Sequence, residues 1–213
     1  KAENERFQLL IHAIGDRAVS QVISAFSSVL SRKRKTGTSC ATSLRHRIEH
    51  LEMVTKAELA LMRKLGLIAS MQPNFLGEWG APGHMMQARL GKRYERADPF
   101  CMVLDAGVML VFGSDCMPFS PLYGIHSAVN AAFPAQRIGV EEALAAYTRT
   151  AAAASFEEGS KGVLAPKMAA DMVVLSGDPF EDPSRIERLG VDATILDGRL
   201  VWRRHGILPC LRP

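Results

Sequence analysis

The chain has 213 residues, 47% hydrophobic and 23% charged, with a formal net charge of +4 at pH 7. That length can bury a sizeable core in one or two domains, and that balance excludes a largely disordered chain. No apolar run approaches the roughly 20 residues that span a bilayer, no secretory leader is visible, and a mild positive excess is not the basic stripe of a nucleic-acid binder.

The elements follow one another as strand, then helix. Gln8 to His12 reads as a short buried strand, punctuated by Gly15 and Asp16. From residue 17 to about 31, Val19, Val22, Ile23, Phe26, Val29 and Leu30 recur at helical spacing. The helix ends at Arg32-Lys33-Arg34-Lys35, where cations suit the helix dipole and solvent. Residues 36–43 are rich in turn formers and read as a loop. Arg47-Ile48-Glu49-His50 ends a second strand. Thr55 and Glu58 then fit a capping box opening a helix that stops at Gly66. A third strand covers Leu67 to Met71. The stretch from Gln72 to about Glu95 holds two prolines and four glycines and reads as a long irregular loop. Asp98-Pro99 reads as a helix cap followed by proline at the first helical position, and Gly107 closes that helix. A fourth strand, Val108 to Phe112, runs into Gly113-Ser114-Asp115, with helices expected at about 122–132 and 140–155.

From Gly162 the pattern changes. Asp171 to Leu175 reads as a strand, and Asp197-Gly198 between two apolar runs is a hairpin signal. Four strand–helix units fit half of a (β/α)8 barrel, and equally a small doubly wound sheet. Periodicity alone does not separate them.

His12, His50 and Asp115 fall at the ends of three of the four strands. In an α/β barrel such positions converge on one face. Two imidazoles and a carboxylate suit zinc or another divalent metal. Each also has a plainer reading: a hydrogen-bonded structural histidine, or an aspartate capping a turn. Repetition at the same place in three units raises the metal-site reading, but the pattern alone leaves the plainer readings ahead. His46 reads as structural. His84 reads as a loop residue within reach of substrate or solvent. His126 matches no ligand position. Cys40, Cys101, Cys116 and Cys210 form no CxxC pair, which points to reduced thiols and a cytoplasmic setting.

The run His12-Ala13-Ile14-Gly15-Asp16-Arg17-Ala18 resembles the fifth-strand motif of the amidohydrolase superfamily, in the branch that contains N-substituted formamide deformylases. Arg47–His50, Ser70 to Asn74, and Gly113-Ser114-Asp115 with Pro118 and Pro121 resemble its sixth, seventh and eighth strands. Tyr147 to Ala152 is similar to the helix after the barrel. Lys161 to Leu164, Ala170 to Leu175 and Asp197-Gly198 resemble its β-rich tail, although Pro166-Lys167 stands where the family tends to have Pro-Gly.

The resemblance implies the C-terminal half of a (β/α)8 TIM barrel, strands five to eight, over residues 1–160, and part of a small β-sandwich over 161–213. It implies that His12, His50 and Asp115 ligate a divalent metal, zinc first, with iron or manganese as alternatives. Asp115 would also be the general base for hydrolysis of a non-peptide amide or formamide bond. Gln72, Asn74 and Trp79 would face a small-molecule amide substrate. The family's first-strand His-x-His pair and its fourth-strand bridging lysine have no counterpart here, and Lys1 is too close to the fifth strand to be that lysine. A non-catalytic fragment or association scaffold is therefore the alternative. A half-barrel alone would associate with itself or with a missing N-terminal half, and would hold metal weakly.

Overall fold

The computed structural model describes residues 5–35, 44–117 and 119–206, with residues 30–35 described in backbone only. The readings that fell on Lys1, the side chains of Arg32 to Lys35, the loop at 36–43, Cys40, Pro118 and Cys210 lie outside the described residues. Among the described residues the strands form two sheets. Leu10–Ala13 (β1), Arg47–His50 (β2), Ile68–Met71 (β3) and Leu110–Phe112 (β4) make a parallel sheet in the order β1-β2-β3-β4. The order never reverses, so the doubly wound alternative, which needs a switch point, does not describe this sheet.

Each crossover is helical. Asp16–Lys35 (α1) and Lys56–Leu65 (α2) follow β1 and β2. The capping box forms as expected: Thr55 accepts from the Glu58 amide and Glu58 accepts from the Thr55 amide. Gly66 ends α2 at φ 68°, a left-handed conformation that glycine adopts without a Cβ clash. Alternation along the strands decides the two faces. Ala13, Ile48, Ala69, Met71, Leu110 and Phe112 point toward the helices and join Val19, Ile23, Phe26, Leu59, Met62, Phe100 and Val103 in the main core.

Residues 72–96 correct the expectation of a loop. They form Pro73–Trp79 (α3), Met85–Leu90 (α4) and a 3-10 helix, Gly91–Arg96. Phe75 and Trp79, then Met86, Leu90 and Tyr94, recur every four residues and build a second apolar cluster with Met53, Ala97 and Phe133. The prolines and glycines fall mostly at the ends of these short helices, and so masked the period. Asp98 also departs from expectation. It does not cap the next helix, Phe100–Asp105 (α5). It is buried at φ 47°, with its amide donating to the Glu52 carbonyl at 2.9 Å.

Pro121–Val129 (α6) begins at Ser120, whose hydroxyl accepts from the Tyr123 amide. The expected helix over 140–155 is two, Val140–Tyr147 (α7) and Arg149–Ala154 (α8). The break is at Thr148, ψ −92°. Beside it the Thr150 hydroxyl of α8 lies 2.7 Å from the Leu110 carbonyl of β4 and 2.9 Å from the Ala145 carbonyl of α7, and donates across the break. Then Met172–Leu175 (β5), Val191–Leu196 (β6) and Arg199–Arg203 (β7) form an antiparallel sheet, with the hairpin turning at Asp197-Gly198, both at positive φ. Lys167 sits at φ 73°, the backbone a glycine would take at lower cost, where the family motif has one. No described helix is long and apolar enough to cross a membrane.

Candidate functional site

The face of the parallel sheet turned away from the main core is an open trough of about 560 Å³. Leu10 and His12 of β1, Arg47 and Glu49 of β2, Ser70 of β3 and Val111 of β4 line it by alternation. Ala151 and Ala154 of α8 close the end at the strand N-termini, where Ala154 packs on Ile68 and Val111. Gln8 fixes that end: its Nε2 donates to the carbonyls of Arg45 and Ala154, at 2.7 and 2.9 Å. Arg45 in turn forks onto Glu158 and lies over the Phe156 ring, 4.7 Å from its centroid.

At the opposite end, where the strands finish, His12, His50, Gln72 and Asp115 gather. His12 reaches the trough by simple alternation. His50 does not, because Ile48 and His50 lie on the core side of β2. The backbone turns it. His50 and Leu51 take φ of 75° and 55°, and the Leu51 amide is held by the Ala13 carbonyl of the neighbouring strand at 3.2 Å. Two successive non-glycine residues in the left-handed region cost on the order of 1–3 kcal/mol each and persist only where surroundings impose them. The result is an edge-on contact between the His12 and His50 rings, with centroids 4.5 Å apart. Asp115, at φ 53°, brings its Oδ2 to 3.9 Å from His50 Nε2.

The electrostatics suit neutral imidazole. Burial, then the neighbouring His12, lower the His50 pKa, against smaller opposing effects from Asp115 and Gln72. His50 Nδ1 and Gln72 Oε1 are buried without a hydrogen-bond partner. Phe75 stacks on His50 at 5.8 Å, and Trp79 packs on Phe75 at 4.8 Å.

The other expected residues are placed differently. Asn74 is wholly buried and structural in its contacts: the Tyr147 hydroxyl donates to its Oδ1 at 3.1 Å, and its Nδ2 donates to the Ser120 carbonyl. It does not line the trough, and Trp79 reaches His50 only through Phe75. His46 is structural as expected, accepting from the Leu9 amide at 3.0 Å and stacking on Phe26. His84 lies on the exposed loop before α4, its Nδ1 2.8 Å from the Glu78 carbonyl. Sequence reasoning passed over Arg47 and Glu49, an ion pair at 3.0 Å inside the trough. Their alternation with Ile48 was the signal.

Two imidazoles, a carboxylate and unpaired buried acceptors are a donor set that fits a divalent metal. Among the described residues, however, no group of three His, Cys, Asp or Glu side chains is arranged to hold one.

A parallel sheet in sequential strand order, with helical crossovers and ionisable residues at its strand C-termini, is an α/β arrangement of the TIM-barrel type. Residues 1–202 match the amidohydrolase family, and the chain belongs to it. YtcJ of Bacillus subtilis (strain 168), named as an amidohydrolase, is 29% identical over 96% of this chain and 39% of its own length. The N-substituted formamide deformylase of Arthrobacter pascens is 26% identical over 97% of this chain and 38% of its own length. An uncharacterized metal-dependent hydrolase from Pyrococcus furiosus superposes with a TM-score of 0.57 at 27% identity, covering 74% of this chain and 31% of that one. The chain thus spans about two fifths of the length of the curated relatives it matches.

Proposed function

We propose that the chain is the C-terminal half, strands five to eight, of a metal-dependent hydrolase barrel that cleaves a non-peptide amide or formamide bond. The observation that carries this is the meeting of His12, His50 and Asp115 at the strand ends of one open sheet face. In this reading His12, His50 and Asp115 hold a divalent ion, zinc or else iron or manganese, with further ligands from an N-terminal half. When bound, such an ion polarises the scissile carbonyl and makes water a stronger nucleophile near neutral pH. The chain's own groups do the rest. His50 stays neutral and offers a lone pair, because its burial disfavours the cation. Asp115, half exposed at the mouth, takes a proton from the attacking water as oxygen bonds to the carbonyl carbon. It returns that proton to the amine nitrogen as the carbon–nitrogen bond breaks. Gln72 at the mouth offers the substrate a polar contact. The Phe75–Trp79 pair stacks behind His50 and holds its ring, so that the expected role of Trp79 as an apolar substrate wall is reached only through Phe75. The free thiols of Cys101 and Cys116 accord with a reducing, cytoplasmic setting.

The test is hydrolysis of a panel of N-formyl and N-acyl amines by the protein with its N-terminal half present. Turnover of one member, abolished by Asp115→Asn, is the expected result. Inactivity across the panel with all ligands present removes the hydrolase reading. One observation favours the alternative of a non-catalytic association scaffold: the described residues alone assemble no three-ligand group. Inactivity together with stable partner binding would select it.

A further inference from the structure

One buried amide ties together the segments that leave β3 and β4. Asn74, in the first turn of α3, is wholly buried. The Tyr147 hydroxyl of α7 donates to its Oδ1 at 3.1 Å, which fixes the amide orientation. Its Nδ2 then donates toward the Ser120 carbonyl at 3.4 Å. Ser120 caps α6, five residues after Asp115. Burial pushes the Tyr147 phenol above its ordinary pKa, so the donor keeps its proton. The close approach is built into the sequence. A Cβ on Gly124 of α6 would collide with both the Tyr147 hydroxyl and Asn74 Oδ1, so only glycine leaves room for their bond.

Asn74 stands between two residues that act on His50. Gln72 lines the trough and hydrogen-bonds toward the His50 imidazole. Phe75 stacks on the His50 ring, centroid to centroid 5.8 Å. The Phe75 amide donates to the Gln72 carbonyl at 3.0 Å, so the two move as one turn. Asn74 itself lines no part of the trough. A side chain that only fills space at such a place is served as well by leucine, of similar volume and with nothing to desolvate. A buried amide adds little net stability beyond that, but it fixes direction, because each of its ends accepts only one kind of partner.

We propose that Asn74, oriented by Tyr147, is a positioning residue that sets the pose of Gln72 and Phe75 against His50, and through them the orientation of the His50 ring at the strand ends. The geometric part of this inference concerns residues of this chain alone. Its consequence for turnover rests on the hydrolytic reading above.

The experiment uses two variants. Tyr147→Phe removes the hydroxyl donor and keeps the ring that packs on Phe112. Asn74→Leu keeps the volume and removes both bonds. The ring protons of His50 and His46 are followed by NMR in each folded variant, His46 serving as the control because it is stacked on Phe26 away from this turn. Both variants should shift the His50 resonances and leave those of His46 in place. A role limited to stability would lower the urea midpoint without moving His50 in the folded state. Should Asn74→Leu fail to fold, Tyr147→Phe alone carries the test. With the N-terminal half present, Tyr147→Phe should lower kcat roughly tenfold on whichever panel amide the parent turns over, with KM within about twofold. A parent that turns over none removes the hydrolytic reading, and the His50 shift still decides this proposal. Unmoved His50 resonances in folded Tyr147→Phe, a His46 shift as large as that of His50, or an unchanged kcat beside an active parent overturns it.

Discussion

Left-handed backbone outside glycine marks the two ends of the proposed chemistry, at His50–Leu51 and at Asp115. Asp115 is exposed enough to be altered without disturbing the core, its side chain being 48% exposed. Asp115→Asn keeps the shape, and asparagine tolerates positive φ. In the complete protein it should lower the hydrolytic rate by about 10²–10⁴-fold, the usual range for a lost proton-transfer group. Its urea midpoint should stay within about 0.5 kcal/mol of the parent. A comparable loss of both would recast Asp115 as a structural residue.

Asp98 shows the opposite situation, a carboxyl with no evident chemistry. It is 1% exposed and its Oδ2 has no partner. Burial, and then the nearby Glu52 carboxylate, hold its pKa well above the usual range. The folded state therefore binds this proton more tightly than the unfolded chain does. Its stabilising contribution is complete below the unfolded value of about 4 and is lost as pH rises through the raised folded value. Asp98→Asn removes that loss, so the variant should gain stability over the parent on going from about pH 4 to about pH 8. Urea melts at both ends check the sign. A difference that shrinks as pH rises would contradict a neutral buried acid.

Among the elements, α2 illustrates how local signals become packing. Its cap satisfies orphan amides, its glycine ends it cleanly, and Leu59, Met62 and Leu65 enter the core. Thr55→Ala should cost about 0.5–2 kcal/mol in urea unfolding, because it leaves the Glu58 amide without its side-chain acceptor. A neutral result would mean that tertiary packing alone holds the helix start. The α3–α4 region works in reverse. Its helices are short and individually marginal, and they gain stability from Phe75, Met86 and Tyr94 packing together over the strand ends.

At the scale of the whole molecule, a parallel sheet normally has both faces covered. Here one face carries helices while the other is the trough, with Leu10 exposed on it. Among the described residues β1 and β4 each lack a neighbour on one side. We expect the chain alone to associate, either with itself or with a separately supplied N-terminal half. Sedimentation across a range of protein concentrations tests this, and a monomer persisting at high concentration with no partner would refute it. Metal should follow assembly. The chain alone, dialysed and assayed by elemental analysis, should retain well under one equivalent of zinc, iron or manganese, because in the proposed reading further ligands and their supporting shell come from an N-terminal half. Restoring the N-terminal half should raise that toward stoichiometry.

The sequence alone determined what depends on neighbours within a few residues. The α2 capping box, the Gly66 stop and the Asp197-Gly198 hairpin were readable because each rests on a local hydrogen bond or a local φ, whereas the order of the strands in the sheet was not. The family motifs at His12, His50 and Asp115 were readable as well. Tertiary structure decided where side chains point and what they touch. Nothing local says that His50 leaves the core side of β2, because a carbonyl on the adjacent strand holds the turn that moves it. Asn74 looked available to substrate until Tyr147, 73 residues away, bonded to it. The helices within 72–96 needed partners as distant as Met53 and Phe133 to show their period. That bond forms only because Gly124 of α6 has no Cβ to stand in its way. Contacts between residues far apart in sequence carry no local signature, and they assign a side chain to the core or to the site.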